Sequence, residues 1–394
     1  MPDGFCPDFL ADRPLPTIKT LTSESTPEDA RFMARAIQLA RRGLYTTDPN
    51  PRVGCVIVKD GQIVGEGWHK RAGEAHAEVA ALQAAGVFAR GATVFVSLEP
   101  CSHYGRTPPC SQALIEAGVR RVVVAMEDPN PKVAGSGLRQ LREAGIVTVC
   151  GLLASDAEAL NPGFCQRMRV GRPLMRSKLA MSLDGRTAMA SGESRWITGE
   201  EARKDVHRWR ARSSAIVTGI GTVLADDPEL TARLSEGDNV PVLQPVRVVL
   251  DSQRRCPASA RLAGLPGRSI ILTTQAHDSS VEIPGVDIIT LPADPTGRLD
   301  FSSVMDWLGQ QEFNEILFEA GPTLNGALLR ANQVDEWIIY MAPTVLGDGG
   351  RGLFHLPELT RMSDRYEMNL GGLRQVGSDV RMLFKTRQAM ASQH

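Results

Sequence analysis

Three residues with soft or borderline donor atoms stand in the first third of the chain: His76, at the head of "HAEVAALQAAG", and Cys101 and Cys110, which bound "CSHYGRTPPC". One imidazole and two thiolates suit Zn2+. Three protein ligands leave the fourth tetrahedral position to water, the pattern of a catalytic rather than a closed structural site. The cation and the helix N-termini expected at these positions both favour the thiolate form of cysteine. Zinc lowers the pKa of coordinated water toward neutrality. Glu78, two residues beyond the histidine and not itself a ligand, can then relay protons. This set describes hydrolytic deamination.

A second set lies in "SKLAMSLDGRTAMASGESRWITGEEARKDVHRWRARSSAIVTGIGTVLADDPELTAR", residues 177–233, and in "LFEAGPTLNGALL". Gly219 and Gly221 follow an apolar strand and permit close approach of a ligand to the backbone. Gly321 and Thr323 stand at a strand-to-helix turn where free amides and the helix dipole can hold phosphate. Neither stretch is a full Gly-x-Gly-x-x-Gly with a downstream acid, so no dinucleotide fingerprint of the doubly wound type is present. Arg210 and Arg233 are candidate forks for a sugar phosphate. Lys178, Asp226 and Glu319 are candidates to polarise a carbonyl or bind hydroxyls.

These residues need elements to position them. "STPEDARFMARAIQLARRGL" predicts a helix that starts with a Ser25-x-x-Glu28 capping box and Pro27 in its first turn, with Met33, Ile37, Ala40 and Leu44 on one face. Two β-branched runs joined through Asp60-Gly61 predict a hairpin. Strand and helix then alternate to about residue 150, which means a layered α/β domain over 25–150. Residues 151–172 lose that rhythm and are expected to be a linker. From 173 to 394 a second α/β series follows, with strands predicted in "LMRSKLAMSLDG", "SAIVTG", "VRVVLD", "SIILTT", "VDIITL", "EILFEAG" and "EWIIYMAP" and helices around 199–212, 301–311 and 323–332.

Composition narrows the partners. The chain has 394 residues, 42% hydrophobic, enough for two cores. Lys and Arg total 44 against 45 Asp and Glu, which gives no general attraction to nucleic acid or anionic membrane and favours a small-molecule substrate. No apolar run is long enough to span a bilayer and no signal-peptide pattern opens the chain, so a cytoplasmic protein is expected. Seven irregularly spaced cysteines argue for reduced thiols and metal ligands rather than a disulfide framework. The first 24 residues carry no motif and are expected to be disordered.

His-x-Glu followed by Pro-Cys matches the zinc nucleobase deaminase signature, with eight residues between the cysteines where two are usual. That longer loop, with "PNPRVGCVIV" and "HAE" upstream, closely resembles the deaminase half of the bifunctional riboflavin-biosynthesis deaminase/reductases, over about residues 27–150. The resemblance implies a cytidine-deaminase-like α/β/α sandwich. It implies pyrimidine contacts at Asn50 and His69, and at Arg106 where some relatives carry Lys. The long loop would also bring His103 near the metal.

Residues 173–385 resemble the reductase half of the same family, whose fold is similar to dihydrofolate reductase and whose cofactor is NADPH. That likeness places substrate contacts at Ser194, Arg210, Leu230, Arg233 and Glu319. It places cofactor contacts at Ala180, Trp196, Thr222, Asp226, Ser252 and the turn Gly321, Pro322, Thr323, Leu324, Asn325, Gly326 and Ala327. We expect "DSQRR" to hold the NADPH 2′-phosphate through Ser252, Arg254 and Arg255. The family also implies a homo-oligomer. Two other readings compete. A nucleic-acid deaminase such as a tRNA adenosine deaminase predicts Cys-x-x-Cys and a basic face, and leaves the second half unexplained. A scaffold with a merely structural zinc has no use for Glu78 and normally recruits a fourth ligand.

Overall fold

Alternate residues of a strand face opposite sides of its sheet, and the chain uses both sides. In the first half, α1 (Pro27–Ala40) precedes the hairpin β1 (Gly54–Lys59) and β2 (Gln62–Trp68). Then come α2 (Ala77–Ala85), β3 (Thr93–Val96), α3 (Cys110–Glu116), β4 (Arg121–Val124), α4 (Ser136–Glu143), β5 (Val147–Cys150), α5 (Ala154–Leu160) and α6 (Pro162–Val170). The sheet order is β2-β1-β3-β4-β5, with β3, β4 and β5 parallel. Val56, Val58, Phe95, Val123 and Val149 pack against α1, α5 and α6. Cys55, Ile57, Val94, Val96, Val122 and Val124 pack against α2, α3 and α4. The result is an α/β/α sandwich.

This computed structural model describes residues 25–103, 108–131, 133–234, 240–275 and 283–386. Its contacts divide the chain into two units that meet at residues 172 and 173. The stretch 151–172, expected as a linker, forms α5 and α6. Its Leu152, Leu153, Ala157, Phe164 and Cys165 are buried in the first core. Their apolar residues are too few per turn for a strong periodic signal, which is why the pattern looked like a break. Asn161 ties them back to the sandwich, accepting from the Arg52 amide at 2.8 Å and donating to the Arg52 carbonyl at 2.9 Å.

The start of α1 is also shifted by one residue from the expected capping box. Pro27 occupies the first helical position, so Thr26 is the N-cap, and its partner three residues on is Asp29. The amide of each bonds the side chain of the other, at 2.9 and 3.1 Å. Leu44 falls beyond the helix, after the short 3-10 turn Arg41–Gly43. The hairpin turn matches expectation: Asp60 and Gly61 have φ of 50° and 75°, as a type I′ turn requires.

The second half opens with β6 (Leu174–Ser182) and β7 (Arg186–Ala188), followed by α7 (Glu200–Arg212), β8 (Ala215–Gly219), α8 (Ile220–Asp226), β9 (Val246–Leu250), β10 (Ser269–Thr273) and β11 (Val286–Thr290). It continues through α9 (Phe301–Gln310), β12 (Glu315–Glu319), α10 (Pro322–Arg330), β13 (Glu336–Ala342), β14 (Arg351–Gly352), β15 (Met368–Val376) and β16 (Asp379–Thr386). The large sheet runs β11-β10-β9-β8-β12-β6-β13-β16-β15, parallel as far as β13 and antiparallel beyond. Helices α9 and α10 cover one face and α7 and α8 the other. Helix α8 and strands β7, β14, β15 and β16 were not expected from the sequence; the last two alternate weakly, with Leu370 and Leu373 exposed.

Phe164 is nearly buried in the sandwich core, and deleting a buried aromatic side chain costs about 3–5 kcal/mol. We therefore expect Phe164→Ala to lower the melting transition of the first unit and leave that of the second in place, as read by calorimetry. A true linker residue would leave both unchanged.

Candidate active sites

The first site is set by how closely α2 lies on its sheet. A Cβ on Gly67 would stand 2.4 Å from the Ala77 carbonyl oxygen, and one on Gly65 would stand 2.3 Å from that of Ala81. Only glycine backbone lets the helix settle there, and its N-cap is His76. Cys101 leaves the loop after β3, and Cys110 is the first residue of α3. The donor atoms of His76, Cys101 and Cys110 lie within 4.8 Å of one another. His76 Nδ1 is 3.2 Å from Cys110 Sγ and 3.6 Å from Cys101 Sγ, so Nδ1 is the nitrogen aimed at the metal position. The Cys110 amide donates to Cys101 Sγ at 3.3 Å. One nitrogen and two sulfurs converging on one point, with no fourth ligand among the described residues, fit a catalytic zinc.

Electrostatics separates the roles of these groups. Cys101 is pulled down to about 4, first by the hydrogen bond from Cys110 and then by His76, while Cys110 is pushed far up by the same sharing. The shared hydrogen bond thus favours the thiolate on Cys101 over that on Cys110. Glu78 is 3% exposed, and burial, reinforced by the negative charge on Cys101, raises its carboxyl to about 7. A carboxyl with that value can both accept and release a proton near neutrality.

Asn50 and His69 form one unit beside the metal position. His69 Nδ1 lies 3.1 Å from the Ala75 carbonyl, and His69 Nε2 lies 3.0 Å from Asn50 Nδ2. The carbonyl can only accept, so Nδ1 carries the proton and Nε2 accepts from Asn50. Burial keeps His69 below the ordinary histidine value, in its neutral form. Its ring stands edge-on to His76 at 5.4 Å. His103 is exposed, and Arg106 lies outside the described residues, as do residues 1–24.

One residue that sequence reasoning passed over is Glu99. It is 4% exposed and places both oxygens on backbone amides: Oε1 accepts from Gly137 and Leu138 at 2.8 and 3.2 Å, and Oε2 from Asp128 and Gly135 at 3.0 and 2.9 Å. It thereby fastens the Pro100-Cys101 loop to the start of α4. The signal was its place directly before Pro-Cys. Ser111 adds a second tie, its hydroxyl 3.0 Å from the Cys101 carbonyl.

The second site is a cavity of about 1790 Å3 at the C-terminal ends of the parallel strands. A pocket for one small ligand measures roughly 300–1,000 Å3, so this volume suits two molecules bound together. Its walls include Lys178, Ala180, Ser194, Trp196, Arg210, Thr222, Asp226, Leu230, Arg233, Ser252 and Glu319, and from the α10 turn Gly321, Pro322, Thr323, Leu324, Asn325 and Ala327. Gly326 does not line it; a Cβ there would meet the His355 carbonyl oxygen at 2.3 Å, so this glycine is needed for packing. Arg255 lines the cavity, whereas Arg254, at φ 52°, turns toward a separate small pocket beside Cys256.

Several expected ligand groups already hold one another. Arg210 grips Glu319 in a two-pronged pair at 2.6 and 2.7 Å and gives a third hydrogen bond to the Thr231 carbonyl. Its fork is committed to Glu319, which departs from its expected role as an open phosphate fork. Burial would raise the Glu319 carboxyl, but Arg210 holds it below its ordinary value. Asp226 pairs with Arg195 at 3.3 Å. Arg233 pairs with Glu229, which also holds Arg261. His207, also missed in the sequence, accepts from the Arg233 amide at 3.2 Å; burial and the two arginines push it down to about 4, so it stays neutral. Lys178 is lowered by burial and by Arg210 against the opposing charge of Glu319, and among the described residues no hydrogen bond or ion pair engages its amine.

The cofactor end is backbone. Helix α10 has Gly321 as N-cap with no side-chain cap, leaving its first amides open to the cavity. Asn325 braces that turn, donating to the Ala320 carbonyl at 2.8 Å and accepting from the Ser177 hydroxyl at 2.7 Å. Thr218 joins the ends of β8 and β12 through a 2.6 Å bond to the Glu319 carbonyl. Open amides, a cavity of two-ligand size and an exposed Trp196 ring fit a nucleotide cofactor.

The Glu99 clamp yields a prediction of its own. Replacing it by Gln keeps the shape, yet turns one acceptor oxygen into a donor that faces two amides. We expect Glu99→Gln to release zinc at least tenfold faster to a chelator with a colorimetric readout, while the chain remains folded by circular dichroism. Unchanged release would reduce Glu99 to a loop anchor without influence on the metal.

Two family models match this chain: the cytidine and deoxycytidylate deaminase zinc-binding region over residues 26–126, and the RibD C-terminal domain over residues 173–382. The riboflavin biosynthesis protein RibD of Escherichia coli K12 is 54% identical over 361 residues, covering 90% of this chain and 98% of that protein. That of Haemophilus influenzae is 48% identical, covering 92% and 98%. Among solved structures, Acinetobacter baumannii RibD superposes with a TM-score of 0.85 at 45% identity, covering 92% of this chain and 99% of that one. The diaminohydroxyphosphoribosylaminopyrimidine deaminase/5-amino-6-(5-phosphoribosylamino)uracil reductase of Thermotoga maritima gives 0.80 at 33% identity, covering 91% and 99%. With the metal site in one unit and the nucleotide-sized cavity in the other, the chain belongs to the RibD family and is a bifunctional enzyme of riboflavin biosynthesis, a zinc-dependent deaminase joined to an NADPH-dependent reductase.

Proposed function

We propose that the two units act in succession on one phosphorylated pyrimidine. The first hydrolyses the C2 amine of 2,5-diamino-6-ribosylamino-4(3H)-pyrimidinone 5′-phosphate, and the second reduces its ribosyl group to ribityl. The observation that carries the first step is Glu78, a buried carboxyl raised to about 7 beside three converging zinc donors. Bound Zn2+ supplies the Lewis acidity that makes water a nucleophile near neutral pH. Glu78 takes the proton of the attacking water and hands it to the departing amine, which leaves as ammonia. Asn50 and His69, locked to each other, hold the pyrimidine edge. Arg106 is assigned to the same pocket on the family resemblance alone.

In the second unit, NADPH when bound supplies a hydride for the sugar C1′, and the opened ring oxygen takes a proton. Asp226 and Glu319 are each paired with an arginine, whereas the Lys178 amine, depressed by burial and by Arg210, feels the Glu319 charge but makes no hydrogen bond or ion pair among the described residues. This contrast favours Lys178 as the proton donor, with Glu319 and Arg210 fixing its surroundings. Ser194, Leu230 and Arg233 are assigned to the substrate. Ala180, Trp196, Thr222, Ser252 and the α10 turn are assigned to the cofactor, in which Gly326 shapes the turn rather than touching the ligand. Among the described residues no helix is long and apolar enough to cross a membrane. A cytoplasmic location and a homo-oligomeric state belong to the same proposal and rest on the family resemblance.

Mass-spectrometric analysis of products tests both steps. With the diaminopyrimidinone ribosyl phosphate alone we expect amine-to-oxo exchange, and with added NADPH a further gain of two hydrogens on the sugar. Zinc chelation should abolish the exchange and leave reduction of the already deaminated substrate intact. Exchange that survives complete zinc removal would overturn the first step; absence of sugar reduction with NADPH would overturn the second.

A further inference from the structure

Arg233 reaches the cavity from a stretch that no helix or strand supports. Residues 227–234 are irregular, and Asp227 and Leu230 have φ of 41° and 51°, in the left-handed region that residues other than glycine hold only where their surroundings fix them. Yet Leu230, Thr231 and Ala232 are buried. Buried peptide groups need partners, and a stretch outside the sheet has no neighbouring strand to supply them.

Side chains stand in for that strand. On one edge α7 supplies two: Arg210 donates to the Thr231 carbonyl at 3.1 Å, and the His207 ring accepts from the Arg233 amide at 3.2 Å. On the other edge Gln244, two residues before β9, answers both main-chain groups of Ala232. Its Oε1 accepts from the Ala232 amide at 3.0 Å, and its Nε2 donates to the Ala232 carbonyl at 2.8 Å. A glutamine amide carries a donor and an acceptor side by side, so it copies the exchange of bonds between paired strands. Residues 231 and 233 bond toward α7 and residue 232 bonds toward Gln244, which is the alternation of an extended strand with partners on both edges.

The outcome is a fixed origin for the Arg233 side chain. Its Nη1 is engaged by Glu229 and by the Thr231 hydroxyl, while Nε and Nη2 make no hydrogen bond among the described residues. Gln244 itself is not among the described residues that line the cavity, so any influence on the substrate passes through the segment it holds.

We infer that Gln244 is a positioning residue for the reduction step, holding the segment Leu230–Arg233 against α7 so that Arg233 meets the substrate. The inference rests on the assignment of Arg233 to the substrate.

Reductase kinetics on the deaminated substrate, with the full zinc-loaded chain and saturating NADPH, test it through a double-mutant cycle of Gln244 and Arg233. Gln244→Ala should raise KM for the substrate roughly tenfold, keep kcat within about twofold of wild type, and leave NADPH affinity and deamination unchanged. Arg233→Ala should raise KM at least as much. Because Gln244 acts through Arg233, the double variant should match Arg233→Ala alone. Gln244→Glu, which keeps the size but sets a second acceptor against the Ala232 carbonyl, should raise KM in the same direction and serves if the alanine variant does not fold. Unchanged KM in both Gln244 variants, failure of both to fold, or effects of Gln244→Ala and Arg233→Ala that multiply in the double variant would overturn the inference and leave Arg233 in its place. A KM unmoved by Arg233→Ala would instead overturn the assignment of Arg233, and the inference with it.

Discussion

A carboxylate removed from water needs donors, a counter-ion or a proton, and this chain builds its chemistry on three that meet the requirement differently. Glu99 is satisfied wholly by backbone amides and fastens the loop that carries Cys101. Glu319, the last residue of a parallel strand, is satisfied by the two-pronged grip of Arg210 and gives the reductase cavity a fixed charge pair. Glu78 has its own backbone amide, the Cys110 thiol and the His76 ring, which together do not offset its burial and the negative charge of Cys101, so its carboxyl rises to about 7. The first two are rigid because they are paired. The third is reactive because its few partners do not outweigh its burial.

That division also explains the architecture around them. Glu99 follows β3, Gly219 ends β8, Ser252 follows β9 and Glu319 ends β12, so each site occupies the C-terminal ends of parallel strands, most of which lead into helices. Strand ends leave amides and carbonyls that turns and side chains must satisfy, and helix starts leave open amides. The deaminase site fills these needs with a buried glutamate and a thiolate. The reductase site leaves the α10 amides open, which is what a phosphate-bearing cofactor requires.

Much of this was legible in the sequence because the residues of the metal site fall in short local motifs. His76 and Glu78, and Pro100 and Cys101, carry their spacing with them, and the near-continuous apolar runs "RVVVAM" and "VRVVLD" mark strands buried on both faces. What was illegible depends on distant partners. Nothing near Arg210 in sequence announces that Glu319 will occupy its fork, and nothing near Ser252 announces that Leu299 will dock on it. Helices α5 and α6 were hidden for a related reason: their burial is dictated by the exposed face of the sheet and by α1, not by a pattern of their own. The one-residue shift at the head of α1 came from weighing Ser25 and Glu28 above Pro27, which alone decides the first helical position.

The central claim is that two independent sites on one chain carry out consecutive steps, each dependent on its own buried carboxylate. Mixing two single variants tests it directly. Glu78→Gln should still reduce deaminated substrate, Glu319→Gln should still deaminate, and an equimolar mixture should convert the diamino substrate to the ribityl product while the double variant makes none. Loss of both activities in either single variant, or a mixture no better than the double variant, would contradict the account.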